Sequence, residues 1–297
     1  METATVLVTG ATGYIGSNVA RALANAGYHV TGVARSEQAA AKLRAAGVAV
    51  HRGDLTDPAG LAAVARSSDA VIHSALVRNA DTGRIEEAAV GAMLDALEGT
   101  AKPFLYTSGA WVIGNTGGRL AGEMFPLRPP PLVAWRPAIE RMVLDAAGRK
   151  VCGVVIRPVT VYGRGGGAVA TMIASAREQG VLRIIGAGDN HWSFVHIDDL
   201  ADLYVRAMER SAPGEIYVAA EGPALRAREV AGAVCRVAGG ARVESWTLEE
   251  ARAVLGPLAD CRALDQKIGS TKAARQLGWR PKGPSLLEEL APAAGAT

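Results

Sequence analysis

The sequence contains few cysteines, and none of them are spaced for metal or disulfide chemistry. Cys152, Cys235 and Cys261 are the only three, and they form no Cys-x-x-Cys motif. This spacing argues against both a disulfide framework and a zinc ribbon, so we predict no metal site. We expect three reduced thiols in a cytoplasmic protein.

Long apolar runs and a large net charge are also absent. No run reaches the roughly 18 apolar residues that a membrane-spanning helix requires, and a strand is predicted as early as Thr5, so we expect no signal peptide. The net charge is only +3, and the Lys and Arg residues are scattered. Neither a nucleic acid nor a membrane is therefore an expected partner.

The first half of the chain alternates short apolar runs with stretches of helical periodicity. This alternation predicts βαβ units and an α/β fold with a doubly wound parallel sheet. The predicted strands are Thr5–Val8, His29–Ala34, Val48–His51, Ala70–Ser74, Phe104–Ser108 and Val151–Arg157.

The second half has a different character, which predicts a division of the chain. We expect residues 1–162 to form a Rossmann-type dinucleotide-binding core and residues 163–297 mostly a smaller C-terminal substrate-binding lobe. Residues 194–220 are expected to return to the core, because Ile216–Ala219 has the pattern of a last core strand. Asp198 is predicted to cap the N-terminus of a long helix that runs to about Arg210. From Ala224 onward the pattern is mainly helical.

A glycine-rich segment between the first strand and the first helix predicts a dinucleotide site. Gly10 allows the tight turn, Gly13 a close approach of the backbone to a pyrophosphate, and Gly16 close packing of helix on strand. The unpaired N–H groups at the helix N-terminus favour the phosphates. The predicted cofactor-binding residues in this segment are Gly10, Thr12, Gly13, Tyr14, Ile15 and Gly16.

The residues after the second strand favour NADP(H) over NAD(H). An NAD site usually has an Asp or Glu here, whereas this chain has Arg35 and Ser36. A guanidinium fork and a hydroxyl suit a 2′-phosphate. Asp54 and Leu55 are placed for the adenine, although Asp54 could equally cap a turn. The small residues around Ser74, Ala75 and Leu76 would let the cofactor cross the strand ends.

Six motifs in order resemble the extended and atypical short-chain dehydrogenase/reductases, in the NAD-dependent epimerase/dehydratase-like branch. The motifs are TGATGYIG at 9–16, GDLTD at 53–57, FLYTSG at 104–109, IRPVTVYG at 156–163, FVHIDDLADLY at 194–204 and LGWRP at 277–281. The resemblance implies a cofactor lying over both halves, with Pro158 and Val161 near the nicotinamide. Thr107 is a further predicted cofactor-binding residue. It also suggests a homodimer formed through helices at about Arg84–Leu97 and Arg136–Ala147.

The chain departs from this family at its catalytic residues. The family uses a Ser or Thr after strand five and a Tyr-x-x-x-Lys pair, with the tyrosine as acid or base. No Tyr-x-x-x-Lys occurs in this sequence. Aligning the family's glutamate with Glu140 places Arg136 at the lysine and Leu132 at the tyrosine, and the serine position falls on or beside Gly109. Because prolines surround this stretch, we expect the helix to start near Trp135.

Four residues remain as candidates for catalysis. Ser108, like Thr107 before it, could hydrogen-bond a substrate carbonyl. Arg136 could place a positive charge near the ribose or an oxyanion, although its pKa above about 12 prevents it from donating a proton readily. Ser108, Tyr162, His191 or water could supply the proton. Each could instead be an ordinary structural or surface residue.

Large aromatic residues indicate the kind of substrate. Trp111, Trp135 and Trp192 fall in segments that would flank the cleft, together with Ser108 and His191. Aromatic walls suit a small apolar or aromatic molecule better than a sugar nucleotide, although each tryptophan could simply be a core residue.

Three functions remain open from the sequence. The favoured one is an NADPH-dependent oxidoreductase that reduces a carbonyl or activated double bond of a small organic substrate. A non-catalytic NADP-binding sensor or regulator would also explain the missing pair. A sugar-nucleotide epimerase or dehydratase is the third, and the missing tyrosine argues against it.

Overall fold

The computed structural model describes residues 3–291 and has fourteen strands and twelve α-helices in that range. The strands are β1 (Thr5–Thr9), β2 (His29–Ala34), β3 (Ala49–Arg52), β4 (Ala70–His73), β5 (Pro103–Thr107), β6 (Leu120–Ala121), β7 (Cys152–Pro158), β8 (Thr160–Gly163), β9 (Val181–Ile185), β10 (His191–His196), β11 (Glu215–Ala219), β12 (Glu221–Arg226), β13 (Arg242–Trp246) and β14 (Lys267–Ile268). The helices are α1 (Tyr14–Asn25), α2 (Glu37–Ala45), α3 (Pro58–Arg66), α4 (Thr82–Ala96), α5 (Arg136–Asp145), α6 (Gly167–Gln179), α7 (Ile197–Arg210), α8 (Ala227–Val237), α9 (Leu248–Leu255), α10 (Leu258–Arg262), α11 (Thr271–Leu277) and α12 (Leu286–Glu289).

A parallel sheet of seven strands forms the centre of the molecule. Its order is β3-β2-β1-β4-β5-β7-β11, and every neighbouring pair runs in parallel. The change of direction lies between β1 and β4, which is where doubly wound sheets bind ligands. The predicted Rossmann-type α/β fold is confirmed.

Two hydrophobic cores lie on opposite faces of this sheet. One face packs against α3, α4 and α5, and the other against α1, α2, α7 and α11. Because both faces are covered, central strands carry apolar side chains in succession instead of alternating with polar ones. All four residues of β4 are buried, for example.

The C-terminal lobe is built from smaller sheets. β8 and β12 flank β10, β9 pairs with β13, and α6 and α8 cover a third apolar core. β11, in contrast, pairs with β7 at the edge of the main sheet. No helix among residues 3–291 is long and apolar enough to cross a membrane.

The structure corrects the predicted cap of α7. Asp198 lies in the first turn, and the N-cap is His196, whose Nδ1 accepts a hydrogen bond from the backbone N–H of Asp198 at 3.3 Å. The Asp198 carboxylate instead binds Arg21 at 2.8 Å and Arg164 at 2.7 Å. Two guanidinium partners from distant segments hold this side chain, and local sequence could not indicate them.

Two further elements differ from the sequence prediction. The segment Thr160–Gly163 was not expected to be a strand, but it pairs with β10. After Ala224 the chain is mainly helical, as predicted, but β13 adds an unpredicted parallel strand beside β9. Both segments are short, so neighbouring strands rather than their own pattern determine their structure.

Candidate active site

The glycine-rich loop after β1 is shaped by close backbone contacts. Gly10 has φ +69°, and a Cβ there would lie 2.7 Å from backbone atoms of Ala75. A Cβ on Gly16 would collide with the carbonyl oxygen of Gly10 and lie 2.7 Å from Ser74 Oγ. The loop therefore requires glycine at both positions, which is the geometry that the sequence predicted for a phosphate cradle.

The start of α1 offers donors to an anion. Its N-cap is Gly13, no side chain caps the first turn, and the Gly13 N–H turns back to Gly10 O at 2.8 Å. Thr12 and Gly13 are exposed. Backbone N–H groups and the helix dipole thus meet at a surface that a side chain does not cover. The residues of this cradle fit the pyrophosphate of a dinucleotide.

Hydrogen bonds hold together the carboxyl ends of β1 and β4, over which such a cofactor would pass. Thr9 Oγ1 accepts from the backbone N–H groups of Ser74 and Ala75 at 3.2 and 3.3 Å. Ser74 Oγ donates to Thr9 O at 2.8 Å. The carboxyl ends of β1 and β4 are therefore held together at the change of direction, with Leu76 partly exposed beside them.

Tyr14 connects the cradle to the C-terminal lobe. Its hydroxyl donates to Gly163 O at 2.9 Å, and its ring occupies the space that a Cβ on Gly166 or Gly167 would need. Burial raises the pKa of the Tyr14 phenol. The glycine run at 163–167 thus accommodates the ring of Tyr14, a role that the sequence did not indicate.

Arg35 and Ser36 lie at the end of β2, where both are exposed. Ser36 Oγ caps α2 by accepting from the backbone N–H of Ala39 at 3.1 Å. Within residues 3–291 the Arg35 guanidinium has neither an ion pair nor a hydrogen bond. Asp54 is near enough to Arg35 for the guanidinium to contribute to the lowered pKa of its carboxyl, but the larger effect is a hydrogen bond from Thr56 N–H.

Ser108 directly follows β5, and Arg136 contacts the last residue of that strand. Ser108 is buried, and its Oγ has no hydrogen-bond partner in the part of the chain described. Arg136 Nη1 donates to Thr107 O at 3.0 Å, and its guanidinium lies 4.7 Å from the ring centroid of Trp135. The hydroxyl of Thr107 is committed to the opposite face, where it bonds Tyr204 Oη at 2.6 Å.

The helix that carries Arg136 is attached to the sheet by a buried ion pair. Arg157 Nε and Nη2 bind the two carboxylate oxygens of Glu140 at 3.0 and 2.6 Å. Both side chains are only 3% exposed. α5 begins at Arg136, close to the predicted start at Trp135, and a separate 3-10 turn at Pro131–Val133 precedes it.

A second buried polar group lies beside the same strand ends. His73 bonds Thr9 Oγ1 at 2.9 Å and Glu86 Oε2 at 3.2 Å, and its ring stacks on Tyr106. Glu86 Oε1 and Tyr106 Oη have no partner among the described residues. The prediction from sequence included none of these residues, because their spacing along the chain gives no sign of the contact.

His191 is oriented by an aspartate that the sequence analysis missed. Its Nδ1 lies 2.8 Å from Asp265 Oδ1. The next residue, Gln266, donates to Ala110 O and Gly114 O at 2.9 Å, so it spans the turn that directly follows Ser108 and Gly109. The 264–268 segment thereby brings His191 to the same side of the molecule as this turn.

Tyr162 is placed unfavourably for the acid role considered above. Its side chain is fully buried, and its hydroxyl contacts Glu221 and donates to Pro284 O at 2.6 Å. Burial raises the pKa of the phenol far above its usual value. Neither the position nor the acidity of Tyr162 suits a proton donor to a substrate.

The remaining predicted residues fall into two groups. Pro158 is buried, and Val161 and Leu55 are largely buried, so each could contribute only a small apolar surface. Trp111 lies half-buried in the turn after Gly109 and Trp135 packs on Gly83, whereas Trp192 lines a cavity in the C-terminal lobe. No cluster of three or more metal-ligating side chains exists among residues 3–291.

Comparison with known proteins identifies the family. Residues 6–220 match the model of the NAD dependent epimerase/dehydratase family. The chain belongs to this family. A Schizosaccharomyces pombe relative of uncharacterized function is 34% identical over 96% of this chain and 98% of its own length. A 2-alkyl-3-oxoalkanoate reductase from Stenotrophomonas maltophilia is 27% identical, over 80% and 77%.

The family fold extends over nearly the whole chain. The crystal structure of dTDP-glucose 4,6-dehydratase from Bacillus anthracis in complex with NAD superposes with a TM-score of 0.80 and covers 97% of this chain and 94% of that chain. At 18% identity this likeness shows the fold alone. The resemblance drawn from the six sequence motifs is thus confirmed.

Proposed function

We propose that the chain is an NADPH-dependent oxidoreductase that reduces a carbonyl or an activated double bond of a small apolar or aromatic substrate. The observation that carries the proposal is the exposed Arg35, which has no ion pair among residues 3–291, at a position where a carboxylate would favour NAD. A guanidinium there matches a 2′-phosphate. The reductase among the relatives supports the reaction type.

Different residues bind the pyrophosphate, the 2′-phosphate and the adenine of the cofactor. Backbone N–H groups from Tyr14 to Gly16 hold the pyrophosphate. The Ser36 hydroxyl, which uses a lone pair to cap α2, still has its proton to donate to the 2′-phosphate. Asp54 Oδ1 is occupied by Thr56, so Oδ2 is the oxygen that accepts from the adenine amino group.

The catalytic roles follow from the surroundings of β5. The bound cofactor supplies the hydride. Ser108 Oγ, which is buried without a partner within residues 3–291, would turn outward to donate a hydrogen bond to the substrate oxygen. Arg136 would stabilise the negative charge that develops there. Arg136 does not supply the proton, because its pKa lies above about 12. His191, oriented by Asp265, delivers the proton in this proposal.

Cofactor preference is tested by Arg35→Asp. A charge-assisted hydrogen bond contributes about 1.5–3 kcal/mol, which corresponds to a loss of NADPH affinity of about 10- to 150-fold. We expect NADH affinity to change less than about threefold on the same scale. Arg66→Asp, an exposed arginine at the end of α3, is the control for a general charge effect. Equal losses for both nucleotides in a calorimetric titration would refute the NADP assignment.

Turnover is tested separately from binding. We expect NADPH oxidation with at least one member of a panel of ketones, aldehydes and enones, and His191→Gln should reduce kcat more than it weakens NADPH binding. Tight NADPH binding with no turnover across the panel would instead favour a non-catalytic sensor. Such a function is compatible with Gly109, Leu132 and Arg136 at the positions of the family's catalytic serine, tyrosine and lysine.

A further inference from the structure

The C-terminal lobe contains a cavity of about 570 Å³ that is formed without any residue of the seven-stranded sheet. Its walls come from the end of α6, from the β9–β13 strand pair and from α9 and α10. Its lining includes Leu182, Arg183, Trp246, Glu250, Leu255 and Arg262. A volume of this size suits a small organic molecule.

The floor of this cavity is apolar. A narrow extension of about 20 Å³ shares Leu182, Trp246 and Leu255 with the main cavity and is closed by Met172, Ile184 and Trp192. Leu182, Ile184 and Met172 are each less than 10% exposed. A ligand that reaches this floor therefore exchanges water for hydrocarbon and aromatic surface.

One charged group beside this floor is a donor that lacks an acceptor. Arg262 forms no ion pair within residues 3–291, and burial lowers the pKa of its guanidinium. Trp246 Nε1 also has no acceptor in the described chain, but it is buried, so the cavity meets the ring of Trp246 and not its N–H. A guanidinium can only donate hydrogen bonds, so Arg262 is free to bind an acceptor from a ligand.

The other charged groups of the cavity already have partners. Glu250 Oε2 accepts from the backbone N–H of Thr247 at 2.7 Å and from its hydroxyl at 3.0 Å. Arg183 lies 3.5 Å from Glu244. Arg262 is therefore the positive charge in this cavity that remains available to a ligand.

We propose that this cavity binds a small organic carboxylate with an apolar or aromatic body. The carboxylate would accept hydrogen bonds from Arg262, and the body would lie against Leu182, Leu255 and the ring of Trp246. Charge complementarity and an apolar floor together select this class over neutral hydrocarbons and over polar anions such as phosphate. The site requires neither a bound cofactor nor turnover, so it goes beyond the oxidoreductase proposal.

The test is a calorimetric titration of the full chain with 1-naphthoate and with its neutral counterpart 1-naphthalenemethanol. We expect the carboxylate to bind at least tenfold more tightly than the alcohol. Arg262→Gln should remove this preference, and Trp246→Ala, which removes an aromatic wall, should weaken binding of the carboxylate and of the alcohol to a similar extent.

Arg242→Gln is the matched control, because Arg242 lies on β13 but does not line the cavity. It should leave both affinities within twofold of the wild type. Failure of 1-naphthoate to bind, equal binding of the acid and the alcohol, or an unchanged preference in folded Arg262→Gln would each overturn the proposal. Since NADPH is absent from this titration, failure of the cofactor assignment would be recognised independently.

Discussion

The buried ion pair between Glu140 and Arg157 should dominate the stability of the α5 region. Glu140→Gln would leave the Arg157 guanidinium buried with one neutral acceptor instead of a carboxylate that binds it through two oxygens. With both side chains 3% exposed, solvent cannot replace the lost charge. Removing one partner of such a pair costs about 3–5 kcal/mol. That is a large part of the roughly 5–15 kcal/mol that holds a typical domain folded.

The measurement is urea unfolding followed by far-ultraviolet circular dichroism. Asp95→Asn is the matched control, because the Arg149–Asp95 pair has a similar contact of 2.6 Å, but its side chains are 36% and 68% exposed. An exposed pair contributes about 0–1 kcal/mol. Glu140→Gln should therefore destabilise the protein at least threefold more than the control, on this scale of roughly 3 against 1 kcal/mol.

A double variant distinguishes the contribution of the ion pair from the cost of leaving one buried charge unpaired. Glu140→Met with Arg157→Met removes both charges, and it should recover most of the lost stability, because an apolar pair of similar volume leaves no buried charge unpaired. If Glu140→Gln cost no more than Asp95→Asn, the inference that this contact is desolvated in solution would be wrong.

Three further predictions follow from other parts of the structure. Gly16→Ala should abolish NADPH binding, because the added methyl group would collide with the preceding turn. Gly91→Ala is the control and should bind NADPH normally, since the nearest atom to its added Cβ lies 3.9 Å away. Equal affinity of the two variants in a titration would contradict the cradle geometry. Gly109→Ser should fold with a free energy of unfolding within about 1 kcal/mol of the wild type, because only one atom lies within 4 Å of its Cβ, at 3.9 Å; insoluble protein would argue otherwise. Burial raises the pKa of the Glu221 carboxyl above its usual 4.5, so folding favours the protonated form. The stability of the wild type should therefore fall relative to that of Glu221→Gln as the pH rises from 4.5 through the raised pKa. Parallel curves of stability against pH would exclude this contribution of Glu221.

The sequence was sufficient to predict the main sheet because its signals are local. Each core strand is an apolar run, and the TGATGYIG segment has its glycines at fixed spacings that a turn and a helix start require. α5 was also placed within a residue of its actual start, since proline restricts where a helix can begin.

The candidate site was harder to predict because its contacts join distant segments. Asp265 orients His191 across 74 residues, and Glu140 meets Arg157 across 17. No periodicity relates such positions, and a carboxylate alone does not indicate its partner. The same reason explains the wrong cap at Asp198, where short-range preference for an acidic cap gave way to two distant arginines.

The position of β11 bears on how the protein is made. This strand lies at the edge of the main sheet beside β7, although the 56 residues 159–214 separate the two strands in the chain. The first elements of the smaller lobe, β8, α6, β9 and β10, are synthesised in that interval. A nascent chain that has emerged only as far as Gly163 would present β7 as an open edge with unpaired N–H and C=O groups. Ribosome-bound or recombinant fragments ending there should therefore tend to self-associate, and cutting the gene between the two halves would be a poor way to obtain a well-behaved nucleotide-binding fragment.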